Sequence, residues 1–246
     1  MDDTAAFDGM KVLVTGGGRG IGVQIARELS GRGAALVLVG RNEASLRSVA
    51  AELPGPCVIR EVDLSGRADV DDLVAWCRAE HPDLGGLVNN AAVQHEMGLI
   101  GRRGSTSRGD PIGRDGRDGR AMVDYLGPAD ANIAHARGEI ALNLDAAIGL
   151  LPVLRAQRHA HVVNVTTGLA FAPKEVSPVY CATKAGLHSF TQALRYQCKR
   201  NAPHVRVTAA ILPLVDMDMT RGRGSGEDRA RRGGGGDRGW HGVEAQ

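Results

Sequence analysis

The chain has 246 residues, 43% hydrophobic and 3% aromatic, with a formal net charge of +2. That length and apolar content suit one globular domain burying roughly 70–75% of its unfolded surface, and exclude a chain disordered throughout. No apolar run approaches the ~20 residues of a membrane span and no signal-peptide core opens the sequence, so a cytoplasmic protein with no membrane partner is expected.

The elements follow in chain order. Lys11–Thr15 (KVLVT) is apolar and β-branched and predicts a buried strand. Gly16, Gly20 and Gly22 come next in the spacing G-x-x-x-G-x-G, and Ile21, Ile25 and Leu29 recur at helical intervals through Ser30. Strand, glycine turn and helix in that order make a phosphate site, because the amides of a helix N-terminus point at the anion. A tight connection with no ligand is the plainer alternative. Further strands are predicted at Ala35–Gly40, Val58–Asp63, Leu87–Asn90, His161–Thr167 and Val205–Leu212. Further helices are predicted at Glu43–Leu53, Arg67–Glu80, Glu139–Gln157 and Pro178–Lys199, the last with Ser177 as N-cap and Pro178 at its first position. Such alternation means a doubly wound parallel sheet covered on both faces, a Rossmann-type α/β fold in a single domain. Thr15, Asn90, Thr167 and Leu212 all fall at or near carboxyl ends of strands, where such sheets bind ligands.

Two segments break the pattern. Gly98–Arg120 holds seven glycines and six arginines, and Arg221–Gln246 holds nine and six. With seven acids between them they carry +5 against +2 for the chain, leaving about −3 for the remainder. They cannot bury a core and read as an insertion and a disordered tail beyond a domain of residues 1–220. Arg/Gly tracts can bind RNA phosphates, but no aromatic residue except Trp240 interleaves them, which argues against a nucleic-acid partner. GC-rich DNA read out of frame would encode similar text. Cys57, Cys77, Cys181 and Cys198 show no C-x-x-C spacing and read as reduced thiols. The eight histidines form no ligand-like cluster, so no metal is expected.

Chemistry concentrates in SPVYCATKAGLHSFTQALRYQ, where Tyr180 and Lys184 stand one helical turn apart on one face. A tyrosine donating a proton near pH 7 must come down from about 10, which needs roughly 4 kcal/mol of preference for the phenolate. One ammonium at about 4 Å supplies that much at an effective dielectric near 20. A solvated Tyr and Lys sharing a helix face is the bland alternative.

The glycine turn, NNAA at Asn89–Ala92 and the Tyr180–Lys184 pair together resemble the short-chain dehydrogenase/reductase family. The stretch HVVNVTTGLAFAPKEVSPVYCATKAGLHSFTQALRYQ is most similar to the bacterial subgroup associated with the lipoteichoic-acid D-alanylation operon. The resemblance covers roughly residues 8–96 and 138–220. It implies hydride transfer between NAD(P) and a small carbonyl or alcohol substrate, and a homodimer or homotetramer. It also implies that Tyr180 is the acid/base and that Lys184 lowers the tyrosine pKa and holds the nicotinamide ribose. Thr167 stands where the family has its substrate-orienting serine, and Thr166 is the weaker substitute because neighbouring strand residues face opposite ways. Asn143 in EIALNLDAAIGL matches the asparagine of the proton relay, with a structural Asn as the alternative. The cofactor-binding positions implied are Gly16, Gly18, Arg19, Gly20, Ile21, Gly22, Arg41, Asp63, Leu64, Asn90, Ala91, Tyr180, Lys184 and Val215. Asp63 would contact the adenine amino group. Nothing after Thr220 reads as the helix and seventh strand usual at this end of the family, and Met217 stands where a threonine is usual.

Cofactor choice rests on VLVGRN. A carboxylate ending the second strand would hold a ribose 2′-OH and favour NAD. Here Gly40 is followed by Arg41, with Arg19 in the glycine turn, so NADP is expected as preferred cofactor and NAD as an alternative. Two other functions compete: a cofactor-binding protein with little turnover, and an RNA-associated protein using its Arg/Gly tracts.

Overall fold

A computed structural model describes residues 7–95 and 129–213. Its first half runs β1 Lys11–Thr15, α1 Gly20–Gly31, β2 Ala35–Gly40, α2 Glu43–Glu52, β3 Cys57–Glu61, α3 Arg67–Glu80 and β4 Leu84–Asn89. Its second half runs α4 Ala129–Arg155, β5 Ala160–Thr167, a short 3-10 turn at Gly168–Ala170, α5 Pro178–Asn201 and β6 Val205–Leu212. The six strands form one parallel sheet in the order β3-β2-β1-β4-β5-β6. The expected doubly wound, Rossmann-type sheet is present. Its order reverses between β1 and β4, and that reversal opens a crevice at the carboxyl ends of the strands.

Strand alternation divides the core. Leu13, Val37 and Val39 face α3, α4 and α5, where they join Leu73, Leu150 and Leu194. Val12, Val14, Leu36 and Leu38 face α1 and α2, where they meet Ala26, Leu29 and Leu46. Leu38 and Leu46 are wholly buried and form the floor beneath the glycine turn. A side chain on Gly17 would run into Leu38, and one on Gly18 would press on Leu46. Emptying either position would cost about 2–5 kcal/mol and loosen that floor.

The structure shifts three readings of the sequence. The buried stripe of α1 is Gly22, Ala26, Leu29 and Ser30; of the periodic residues Ile21, Ile25 and Leu29, only Leu29 is buried, and the two isoleucines are half-buried. α4 begins ten residues before Glu139. Its added turns bring only Ile133 as a large apolar residue, and that residue is exposed, so there was no apolar period to read. Ser177 sits at the N-cap of α5 with Pro178 after it, but its hydroxyl makes no cap bond. It accepts instead from Gln94 Nε2 at 2.9 Å.

The insertion 98–120, the tail 221–246, the missing seventh strand, Val215 and Met217 all lie outside the described residues. Among the described residues no helix is long and apolar enough to cross a membrane, and no group of His, Cys, Asp and Glu is arranged to hold a metal ion.

Candidate active site

The crevice above β1 and β4 is a cleft of about 480 Å³ lined from the glycine turn to α5. At one end, Gly16 N and Gly17 N donate to Val39 O at 2.7 and 3.2 Å, which bends the chain sharply off β1. Gly16 has φ +68°, a left-handed conformation that penalises any side chain. A Cβ on Gly22 would strike the carbonyl oxygen of Gly16, so the first turn of α1 packs directly on the turn that precedes it. Arg19 is the N-cap residue of α1, extended at φ −158°, with no side-chain cap bond. The first turn holds no acidic residue. Its amides therefore point outward without a protein anion to meet them.

Thr15 links this turn to β4. Its hydroxyl accepts from Asn90 N at 3.0 Å and Ala91 N at 2.9 Å, and donates to Val88 O at 3.4 Å. Asn90 Nδ2 returns to Thr15 O at 2.9 Å. Asn90 and Ala91 thus border the cleft as expected of cleft residues, and Asn90 also clamps the glycine turn. Gly16, Gly18, Arg19, Gly20, Ile21, Gly22, Arg41 and Leu64 border it as well. Asp63 does not: its Oδ1 accepts from Ser65 N at 3.1 Å and Ser65 Oγ at 2.8 Å, turning the carboxylate to the turn before α3. Val62, which the sequence reading passed over, lines the cleft beside it. None of the described lining residues is acidic, while Arg19, Arg41 and Lys184 are cationic.

At the other end, α5 presents Tyr180 and Lys184 to the same cleft. Both are buried, and the ammonium lies 5.9 Å from the centroid of the tyrosine ring. Lys184 Nζ donates to Val165 O at 2.9 Å. The expected lowering of the phenol is overturned in this arrangement. Burial, followed by the charges of Cys181 and Glu139, pushes Tyr180 up to about 12. Burial also brings Lys184 down to about 8. The helical spacing does bring the two side chains to one face. However, the ammonium is drawn to a strand carbonyl, and desolvation of the phenolate outweighs it.

Thr166 and Thr167 both border the cleft. The Thr166 hydroxyl is turned to β6 and donates to Ala210 O at 3.5 Å, whereas Thr167 Oγ1 accepts only a long 3.4 Å bond from Leu169 N. Asn143 stands behind the cleft wall, 1% exposed. Its Nδ2 donates to Glu139 O at 2.9 Å and Thr183 Oγ1 at 3.0 Å, and its carbonyl accepts from Asn89 Nδ2 at 2.8 Å.

Glu139, which the sequence reading did not single out, is fully buried four residues earlier on α4. Its Oε1 accepts from His95 N at 2.7 Å and meets His95 Nδ1 at 2.8 Å. His95 in turn stacks on His135, with ring centroids 4.1 Å apart and planes 4° from parallel. The sequence carried only a weak signal for this group: Glu139 is one of two acids, with Asp145, in a mostly apolar helical run.

Comparison with known proteins agrees with this geometry. A profile of the short chain dehydrogenase family matches residues 10–102 and 130–228. The chain is 35% identical to the uncharacterized oxidoreductase DltE of Bacillus subtilis over 214 residues, 85% of this chain and 73% of that one. It is 29% identical to an uncharacterized oxidoreductase of Staphylococcus epidermidis, covering 87% and 82%. Among solved structures, a 3-oxoacyl (acyl-carrier-protein) reductase of Agrobacterium tumefaciens with NADP bound superposes with TM-score 0.67 at 26% identity, covering 94% of this chain and 79% of that one. A metagenomic short-chain oxidoreductase in complex with NADP gives 0.64 at 26%, covering 86% and 85%. With its sheet order, its glycine turn and its paired tyrosine and lysine on one cleft, the chain belongs to the short chain dehydrogenase family and is an oxidoreductase.

Proposed function

We propose that this oxidoreductase transfers hydride between NADP(H) and a small carbonyl/alcohol pair, with Tyr180 as the proton-transferring group. One observation carries the reading: Tyr180 and Lys184 border the same cleft as the glycine turn, so cofactor and acid would meet in one crevice. The turn fits a dinucleotide, since its close packing leaves no room for side chains and the amides of α1 have no side-chain cap. When bound, the nicotinamide supplies or accepts the hydride. The protein's own residues bind and move the proton. The amides of Gly20–Gly22 would cradle the pyrophosphate, and Arg19 and Arg41 would take a 2′-phosphate, with no acidic side chain on the described lining to repel it. Both Agrobacterium and metagenomic relatives carry NADP, in keeping with that preference.

Tyr180 is held up to about 12 by burial, with Val165 O holding the Lys184 ammonium, so it would donate its proton to a carbonyl oxygen once that ammonium turns to the cleft and brings the phenol down. Lys184 would leave Val165 O for the ribose. The Thr167 hydroxyl is the freer of the two strand-end donors for orienting the substrate oxygen. Asn143 holds the turn of α5 that carries Tyr180 through Thr183, which donates to Tyr180 O at 2.9 Å. A cytoplasmic setting accords with four unpaired cysteines, three of them buried. A homodimer or homotetramer would cover Ile133, Ile140 and Ile148, which stand about half exposed along α4.

The test is Tyr180→Phe. It is expected to lower kcat at least 10³-fold, about 4 kcal/mol of transition-state stabilisation, while NADPH affinity stays within a few-fold. Near-parental kcat on any accepted carbonyl would remove Tyr180 from this role.

A further inference from the structure

Glu139 is wholly buried beside the cleft, yet the proposed chemistry leaves it without a task. A buried carboxyl group is costly unless hydrogen bonds compensate it. Here both compensating donors belong to His95 and fall on one oxygen, Oε1. The other, Oε2, has no hydrogen-bond partner among the described residues. A side chain serving only to fill space between α4 and the cleft wall would be apolar.

Two separate hydrogen-bonded routes run from Glu139 to the first turn of α5. The first leaves its side chain. Oε1 holds His95, the adjacent Gln94 donates to Ser177 Oγ at 2.9 Å, and Ser177 is the N-cap residue three positions before Tyr180. The second leaves its backbone. Glu139 O accepts from Asn143 Nδ2, which also donates to Thr183 Oγ1, and Thr183 Oγ1 donates to Tyr180 O. One residue of α4 thus braces both the wall of residues 90–95 and the turn bearing the phenol.

We propose that Glu139 is a positioning residue for Tyr180: through His95 it fixes the cleft wall against α5, and it sets one buried acidic group behind the turn that bears the phenol. The inference rests on the reading of Tyr180 as proton donor. Around the phenol, the Lys184 ammonium lies 5.9 Å from the ring centroid, and the charges of Cys181 from α5 and Glu139 from α4 act on it. Burial holds the phenol up most, and the charges of Cys181 and then Glu139 add to it. A negative charge at Glu139 disfavours phenolate and so sets how readily the hydroxyl releases its proton.

Glu139→Gln keeps an oxygen for His95 and removes the charge, so it separates electrostatics from packing. The sign follows directly: without the acid, phenolate forms more easily and the phenol titrates at lower pH. Ultraviolet difference titration of tyrosinate, each protein minus its Tyr180→Phe counterpart, isolates the Tyr180 phenol and requires no turnover. The expected result is a tyrosinate midpoint below the parental one in Glu139→Gln, a small shift because burial is the larger cause, with Tm and NADPH affinity near parental. The alkaline limb of kcat/KM for carbonyl reduction should move the same way. An unmoved tyrosinate midpoint in a folded Glu139→Gln protein overturns the inference. A moved midpoint in a protein with no turnover on any carbonyl upholds the inference and defeats the functional reading instead. Should Glu139→Gln fail to fold, His95→Ala carries the test, because that imidazole is about one-third exposed and can be removed without opening the core. At least tenfold lower kcat with NADPH affinity within two-fold supports the bracing role, and unchanged kcat overturns it.

Discussion

The two ends of the cleft are built by different means. The glycine-turn end is backbone: amides of α1, the bend after β1, and four glycines, Gly16, Gly17, Gly18 and Gly22, whose missing side chains let the chain close on itself. The tyrosine end is side chain: Tyr180, Lys184, Thr183, Asn143, Glu139 and His95, drawn from α5, α4 and the wall after β4. The first end is rigid by exclusion of atoms and tolerates no addition. The second is rigid by hydrogen bonds, among them ones between groups 40 or more residues apart, and its chemistry depends on charge.

Four changes break or sharpen that contrast. The largest effect should fall on the backbone end. Gly22→Ala puts a methyl group into the Gly16 carbonyl and should cost about 1–3 kcal/mol of stability, with NADPH affinity falling at least tenfold. Calorimetry reads both, and a parental Tm with parental affinity would contradict the close packing. Next, Gly40→Asp with Arg41→Ala should reverse a parental preference for NADPH over NADH of about 1–3 kcal/mol. Titration of both cofactors decides it, and equal parental affinities remove the preference.

The third change concerns charge at the tyrosine end. Burial lowers Lys184 in the folded state to about 8 against its usual 10.5. The folded protein therefore binds fewer protons than the unfolded one between those values, so stability rises with pH across that window. Relative to Lys184→Met, which keeps Tyr180 and so shares its titration, the parent should gain on the order of 2 kcal/mol between pH 8 and pH 10. Chemical denaturation at several pH values measures it, and parallel curves would mean that the ammonium is not held at a desolvation cost. The smallest effect is expected from Thr167→Ser, which keeps the hydroxyl and frees χ1. Here kcat should stay within about three-fold, and a larger loss would show that the methyl group shapes the substrate pocket.

The contrast also explains what could be read from the amino acids. The sheet was legible because its strands are short apolar runs separated by helical periods, and β1, β2 and β6 have the predicted limits. The glycine turn was legible because its parts are contiguous: a fixed spacing encodes a fixed bend. The Tyr180–Lys184 pair was legible as a shared helix face, but its electrostatics were not, because no spacing shows that a strand carbonyl will capture the ammonium. Asp63 read as a cleft residue from its place in EVDLS, yet Ser65 two residues on supplies two closer donors. Glu139 and His95 were hidden for the opposite reason: 44 positions separate them, and only the packing of α4 on the wall after β4 unites them. The first turns of α4 were missed because their faces lack an apolar rhythm.

The hydroxyl of Thr15 has a consequence for how the crevice keeps its shape. Where β1 and β4 part company, the parallel ladder ends and the next amides have no strand to bond. One oxygen answers two of them, Asn90 N and Ala91 N, while its hydrogen reaches back to Val88 O. Thr15 therefore acts as a keystone at the point of divergence, buried and out of reach of any ligand. A valine of nearly the same shape would take this partner from both amides, leaving Asn90 N only its 3.1 Å bond to Val88 O, and the mouth of the crevice would spread although no residue that touches its contents had changed.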